Sequence, residues 1–140
     1  MTSEDIASRL SGRGVKPTAM RILVYKTLMD CVRPVSLREI DDKMVTAERS
    51  TIFRTLTLLL QQGLIHAIED GSGAVRYEVC HGHDHCSLDD QHAHFFCTVC
   101  QRTFCLHDVG IPHPMVPGGF HVTQVNYLLK GICPACYKEM

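Results

Sequence analysis

The run Ser50-Thr-Ile-Phe-Arg-Thr-Leu-Thr-Leu-Leu-Leu-Gln-Gln62, followed by Gly63-Leu-Ile-His-Ala-Ile68, Glu69, Asp70-Gly-Ser-Gly73, Ala74 and Val75-Arg-Tyr-Glu-Val79, changes its hydrophobic period midway. In the first part Ile52, Leu56, Leu59 and Leu60 recur at the spacing of an amphipathic helix over residues 50–62. Gly63 suits the left-handed backbone that ends such a helix. Residues 64–68 and 75–79 are short strand-like runs. The glycines of Asp70-Gly-Ser-Gly73 permit the positive φ of a tight hairpin between them.

Upstream the pattern stays helical. Ser3 precedes a short helix with Ile6 and Leu10 four apart, stopped by Gly12 and Gly14. Pro17 and Thr18 open a second, with Ile22, Tyr25, Leu28 and Met29 on one face. Ser36-Leu-Arg-Glu39 has capping-box form, and Leu37, Ile40 and Met44 continue a third. Helices followed by a β-hairpin are the order of a winged helix, in which the helix before the hairpin enters the DNA major groove. Near the start of that helix Ser50, Thr51, Arg54 and Thr55 are hydrophilic, and Arg54 can bond guanine bidentately. An amphipathic helix showing ordinary polar residues to water has the same pattern, and pattern alone does not separate the two.

The chain has 140 residues, room for one ordinary domain or two small ones, and at 45% apolar it can bury a core. No apolar run approaches the roughly 18 residues of a membrane span. The polar N-terminus lacks the apolar region of a signal peptide, so a cytoplasmic protein is expected. The net charge of −1 hides an asymmetry. Between Arg9 and Arg38 stand Arg9, Arg13, Lys16, Arg21, Lys26, Arg33 and Arg38 against Asp30 alone. That excess is compatible with contact to a phosphate backbone, and equally with a solvated basic face.

Metal-ligating residues crowd the other end. All nine histidines lie between His66 and His121, and of eight cysteines only Cys31 precedes Cys80. Cys97-Thr-Val-Cys100 and Cys133-Pro-Ala-Cys136 are separated by 32 residues. Two residues between cysteines let both thiolates reach one metal, and two such pairs close a tetrahedral site suited to structural zinc. Strand-like sequence at 94–96 and 127–129 flanks the pairs. Pro112, Pro114, Pro117, Gly118 and Gly119 make the segment between loop-rich, so a small core here needs the staple. A second constellation comprises Cys80-His-Gly-His-Asp-His-Cys86 and His92-Ala-His94. On a strand, H-x-H puts both imidazoles on one face. Cys80, His92 and His94 read as zinc ligands. His81, His83, His85 and Cys86 read as readily as a solvated loop that meets metal only incidentally.

In this order, these motifs resemble the ferric uptake regulator (Fur) family over nearly the whole chain, most of all its zinc-uptake regulators. The anchors are Gly14-Val-Lys16-Pro-Thr18-x-x-Arg21, Ser50-Thr-Ile-Phe-Arg54, Arg76-Tyr-Glu78, His92-x-His94-x-x-Cys97-x-x-Cys100 and Gly131-Ile-Cys133-Pro-Ala-Cys136. The resemblance implies an α+β protein. Residues 1–79 would form a winged helix-turn-helix DNA-binding domain with wing and hinge, and residues 80–140 an α/β dimerisation and metal-binding domain. It implies a homodimer on palindromic double-stranded operator DNA, repressing metal-uptake genes. Expected DNA contacts are Lys16, Arg21, Ser50, Thr51, Phe53 and Arg54. Phe53 departs from the family's Tyr-Arg pair; the hydroxyl is lost, while the ring can still meet a thymine methyl.

The same resemblance bears on the metal. Iron-sensing members place a histidine where this chain has Pro34, which cannot ligate. Zinc-uptake regulators place ligands at the positions of His66 and Cys80, and use the histidines before the first C-x-x-C. Some add a carboxylate at the position of Cys105. The expected regulatory set is therefore His66, Cys80, His92 and His94, with Cys105 as a substitute, holding a second zinc or Fe(II). Val125 replaces the late histidine of a further site. Ligands drawn from both domains would make affinity depend on the hinge, as a switch requires. The alternatives are an iron- or peroxide-responsive regulator, against which Cys80 counts, and a zinc store or metallochaperone, which leaves the recognition helix unexplained. H-E-x-x-H and H-x-E motifs are absent, so neither an enzyme nor a small-molecule substrate is expected.

Overall fold

The computed structural model describes residues 2–31, 33–69, 73–79, 92–112, 114–122 and 125–140. The chain divides into two units, Met1–His81 and Gly82–Met140. The division expected after residue 79 falls beside residues 80–91, outside the described part.

The first unit contains α1 (Ser3–Gly12), α2 (Ala19–Asp30), β1 (Val35–Ser36), α3 (Leu37–Lys43), α4 (Arg49–Gln61), β2 (Ile65–Glu69) and β3 (Val75–Val79). Side chains with hydroxyls start three of the helices. Thr2, one residue before the expected Ser3, accepts from the Asp5 amide in a full capping box, and Thr18 and Ser36 accept from the amides of Arg21 and Glu39. Glycines end two helices, α1 and α4. At α1, Gly14 and Val15 donate back to the carbonyls of Ser11 and Leu10; at α4, Gly63 and Leu64 do so to Leu60 and Leu59. This is the Schellman arrangement, and it needs the positive φ of 76° at Gly14 and 70° at Gly63. Val15 and Leu64, the residues after those glycines, are buried with Leu10 and Leu59 in the core.

That core joins Ile6 and Leu10 to Val24, Tyr25, Leu28, Ile40, Ile52 and Leu56. The inward face of α2 is Val24, Tyr25 and Leu28; Ile22 is partly buried and Met29 exposed, a correction to the expected stripe. Thr55 is also corrected: it is buried, and its hydroxyl donates to the Thr51 carbonyl at 2.9 Å. The back-bond satisfies the hydroxyl, so threonine can occupy an inward position.

β2 and β3 pair antiparallel as expected, with Ile65 opposite Val79 and Glu69 opposite Val75. The turn residues 70–72 lie outside the described part. β1, too short to show a period, adds to the other edge of β3, giving the order β1-β3-β2. Half of the capping box read at Ser36 is replaced. The Glu39 carboxylate accepts from Arg33 Nη1 at 3.1 Å and from Arg76 Nη1 at 2.9 Å instead of turning back on its own helix. Arg76 lies on β3 and is buried, so its charge needs a partner of opposite sign. Glu39 thereby ties the hairpin to α3.

The second unit contains β4 (His92–Cys97), β5 (Thr103–Gly110), β6 (Leu128–Gly131) and the short α5 (Pro134–Lys138). β4 is central, antiparallel to β5 and parallel to β6. β5 was not anticipated by the sequence reading. Ala93, Phe96, Cys97, Thr103, Ile111 and Cys133 are buried, a small core with two of the paired cysteines in it. Among the described residues, no helix is long and apolar enough to cross a membrane.

Replacing Glu39 by alanine removes a charged bond to a nearly buried guanidinium. A loss of about 1–3 kcal/mol is expected, with earlier proteolytic cleavage in the hairpin. Urea unfolding and limited proteolysis of the full chain measure both; an unchanged midpoint would contradict the role given to this pair.

Candidate metal centre

Cys97 closes β4 and stands beside Gly131 of β6 in register. The chain then turns back: Gln101 donates to the Cys97 carbonyl at 2.8 Å and adopts a φ of 61°, while the Thr98 amide donates to Gly131 at 2.8 Å. Cys100 lies within this turn. Cys133 is the N-cap of α5 and Cys136 sits inside that helix. Gly131 permits the approach, because a Cβ there would come within 3.0 Å of the Phe95 ring.

These elements bring all four sulfurs within 4.8 Å of one another. Cys100 Sγ and Cys133 Sγ are 3.9 Å apart. The amides of Cys133 and Cys100 both donate to Cys97 Sγ, at 3.3 and 3.5 Å. Burial pushes the Cys97 thiol up, but the backbone N–H groups of Cys100, Cys133 and Val99 outweigh it and hold it down to about 6. Cys136 is pushed up, first by its hydrogen bond with Cys133 and then by burial. One thiolate thus forms readily and further negative charge is resisted, a conflict that a divalent cation removes. Four converging sulfurs, two of them buried, fit a closed tetrahedral site for a thiophilic ion.

A second pair of donors lies on the neighbouring strands of the same sheet. His94 of β4 and Cys105 of β5 are direct cross-strand partners. His94 is buried, Cys105 partly so, and an imidazole nitrogen and Sγ lie within 4.8 Å of each other. His92 begins β4, but its side chain lies outside the described part, as do Cys80, His81, His83, His85 and Cys86. In the first unit His66 is half-buried on β2, opposite Glu78 of β3. Glu78 was passed over in the sequence reading, although hairpin register alone places an oxygen donor there beside His66.

The residues read as DNA contacts are spread over α4, the start of α2 and the segment just before α2. Ser50, Phe53 and Arg54 are exposed on α4, Phe53 at 49%, while Thr51 is partly buried. Lys16 is exposed, and its carbonyl accepts from Arg21 Nη1 at 3.0 Å, which holds Arg21 against the loop. α4 begins at Arg49, one residue before the expected start, and that side chain is exposed.

Cys97→Ser, or chelation at neutral pH, is expected to abolish cooperative melting of residues 92–140 while the helices of the first unit persist. Far-ultraviolet circular dichroism for the helices and hydrogen exchange of residues 92–140, followed together on heating, separate the two signals. Loss of both together would contradict a staple confined to the second unit.

The sequence model of the ferric uptake regulator family matches residues 12–115. A ferric uptake regulation protein of Synechococcus elongatus is 24% identical over 121 residues, 84% of this chain and 70% of that one. A solved zinc uptake regulator complexed with zinc and DNA is similar at a TM-score of 0.66 and 20% identity, covering 99% of this chain and 97% of that one. The Helicobacter pylori ferric uptake regulator is similar at a TM-score of 0.65 and 18% identity, covering 98% and 95%. These structural likenesses establish the fold: an N-terminal winged helix-turn-helix followed by a C-terminal α/β domain. With the family pattern running from the end of α1 to beyond β5, the chain belongs to the ferric uptake regulator family, whose members are transcription regulators and not enzymes.

Proposed function

We propose that the chain is a zinc-responsive transcriptional repressor, acting in the cytoplasm, that binds a palindromic operator as a homodimer and controls metal-uptake genes. The observation that carries the metal assignment is the His94–Cys105 pair, which offers an imidazole and a soft thiolate. Thiolate with imidazole favours zinc, whereas oxygen-rich sets suit iron and manganese less selectively. Cys80 adds a second sulfur to the set by sequence. On this reading Cys97, Cys100, Cys133 and Cys136 hold one structural zinc per subunit. A second zinc would be held by His66, Cys80, His92 and His94, with Cys105 as a substitute ligand. Because these ligands come from both domains, a bound ion would have higher affinity for one hinge arrangement and would favour it.

For DNA, the reading draws on the exposed Ser50, Phe53 and Arg54 of α4 and on Lys16 and Arg21, with Thr51 at the helix margin. Residues 1–79 are the DNA-binding domain and 80–140 the dimerisation domain. Support for the dimer comes from Val109, Met115, Val116, Phe120 and Val122, exposed apolar side chains in and after β5, a strand at the sheet edge. An iron-responsive regulator is the second reading, favoured by Glu78 beside His66, an oxygen donor that suits a harder ion.

Gel-shift or anisotropy measurements with zinc and with ferrous iron test the metal. Zinc is expected to tighten operator binding; tightening by iron alone would sink the zinc reading. Cys105→Asp is expected to weaken the second zinc equivalent, leave the first intact and move preference towards iron. Arg54→Ala should weaken operator binding by about ten- to hundredfold at moderate salt, and unchanged binding would contradict the repressor reading.

A further inference from the structure

The exposed face of α4 begins one residue earlier than Ser50. Arg49, Ser50, Phe53 and Arg54 are exposed, while Ile52, Thr55, Leu56 and Leu59 are buried on the other side. Helical spacing gathers the four exposed residues into one stripe. Arg49 opens the helix, and the N-terminal residues of a recognition helix are those that reach base edges.

Asp41 of α3 holds this arginine. Nε and Nη2 of Arg49 both donate to Asp41 Oδ2, at 3.3 and 3.1 Å. The two side chains are 57% and 27% exposed, and a pair so open to water adds little to stability. Its effect is on orientation. The guanidinium is planar with five N–H donors, so two anchored nitrogens define its plane. Nη1 takes no part in the pair, and the edge formed by Nη1 and the remaining Nη2 hydrogen faces away from Asp41.

Two partners suit such an edge on DNA. A phosphate is an anion, and the Asp41 carboxylate beside the guanidinium opposes its approach. Guanine presents O6 and N7 in the major groove, two neutral acceptors that match a bidentate arginine and meet no such repulsion. We propose that Arg49 reads a guanine in each operator half-site through its Nη1–Nη2 edge, and that Asp41 is the positioning residue that pre-orients it. This rests on the operator-binding reading and assigns part of its sequence specificity.

Selection from random duplexes with the full-length, zinc-loaded protein supplies the probe. Affinity for the selected duplex and for a mixed-sequence duplex is then compared among wild type, Arg49→Ala, Arg49→Lys, Asp41→Asn and the Arg49→Ala/Asp41→Asn double variant. Arg49→Ala should weaken the selected duplex by about ten- to hundredfold, with little change on the mixed one, and a repeated selection should lose one G·C preference per half-site. Arg49→Lys keeps the charge without the fork and should not restore that preference. Asp41→Asn should act at the same base pair and add nothing in the double variant. In the wild type, 7-deazaguanine at that position, which lacks N7, should reproduce the loss without altering the protein.

Equal weakening of both duplexes would make Arg49 a phosphate contact and overturn the assignment. Unchanged affinity and preference in Arg49→Ala, or indifference of the wild type to 7-deazaguanine at every guanine, would overturn it as well. If the wild type enriches no duplex with or without zinc, the operator-binding reading itself falls. That result is distinct from enrichment that ignores Arg49.

Discussion

The second unit depends on one sulfur. Cys97 ends the central strand, is fully buried, and accepts amides from both its own turn and the start of α5. Those bonds join the end of β4 to the residues beyond β6, although 32 residues separate Cys100 from Cys133. With few apolar side chains to bury, the sheet β5-β4-β6 needs a link of this kind to hold its parallel edge. The same sulfurs create the electrostatic conflict that a metal resolves: amides favour a thiolate at Cys97, while hydrogen bonding and burial keep Cys136 protonated. Stability of the unit and affinity for the ion are two views of one set of contacts.

The first unit solves its assembly differently. It has a true apolar core, and its helix ends are set by hydroxyl caps and by glycines in the left-handed region. Glu39 neutralises a buried arginine on β3 and a partly buried arginine before β1. The hairpin is held by pairing with β1 and by Ile65, Tyr77 and Val79 in the core, and the Glu39–Arg76 bond adds a polar tie to α3.

The donors of the proposed sensor site show why antiparallel sheets are effective places to collect ligands. Direct cross-strand partners share a face and lie close together, so each unit gathers a pair: His94 with Cys105 in one, His66 with Glu78 in the other. The first pair is soft and the second harder.

Much was legible in the sequence because its signals are local. The i, i+3, i+4 pattern of α4, the glycine after it, the hairpin and the two C-x-x-C pairs each depend on residues only a few positions apart. Partners remote in sequence were less accessible. The two-residue β1 has no period to read, and β5 reveals itself only by pairing with β4. Glu39 carries a capping-box signature yet turns to Arg76, 37 positions away, because a buried guanidinium is the stronger claim on its charge. Thr55 looks like a surface residue until its hydroxyl finds a backbone carbonyl. By itself, then, the sequence determined which segments are helix, hairpin and metal knuckle. Tertiary structure alone decided which charges pair, which threonine is inside and which thiol faces which imidazole. Those outcomes follow from burial and cross-strand register, which exist only once the chain has folded.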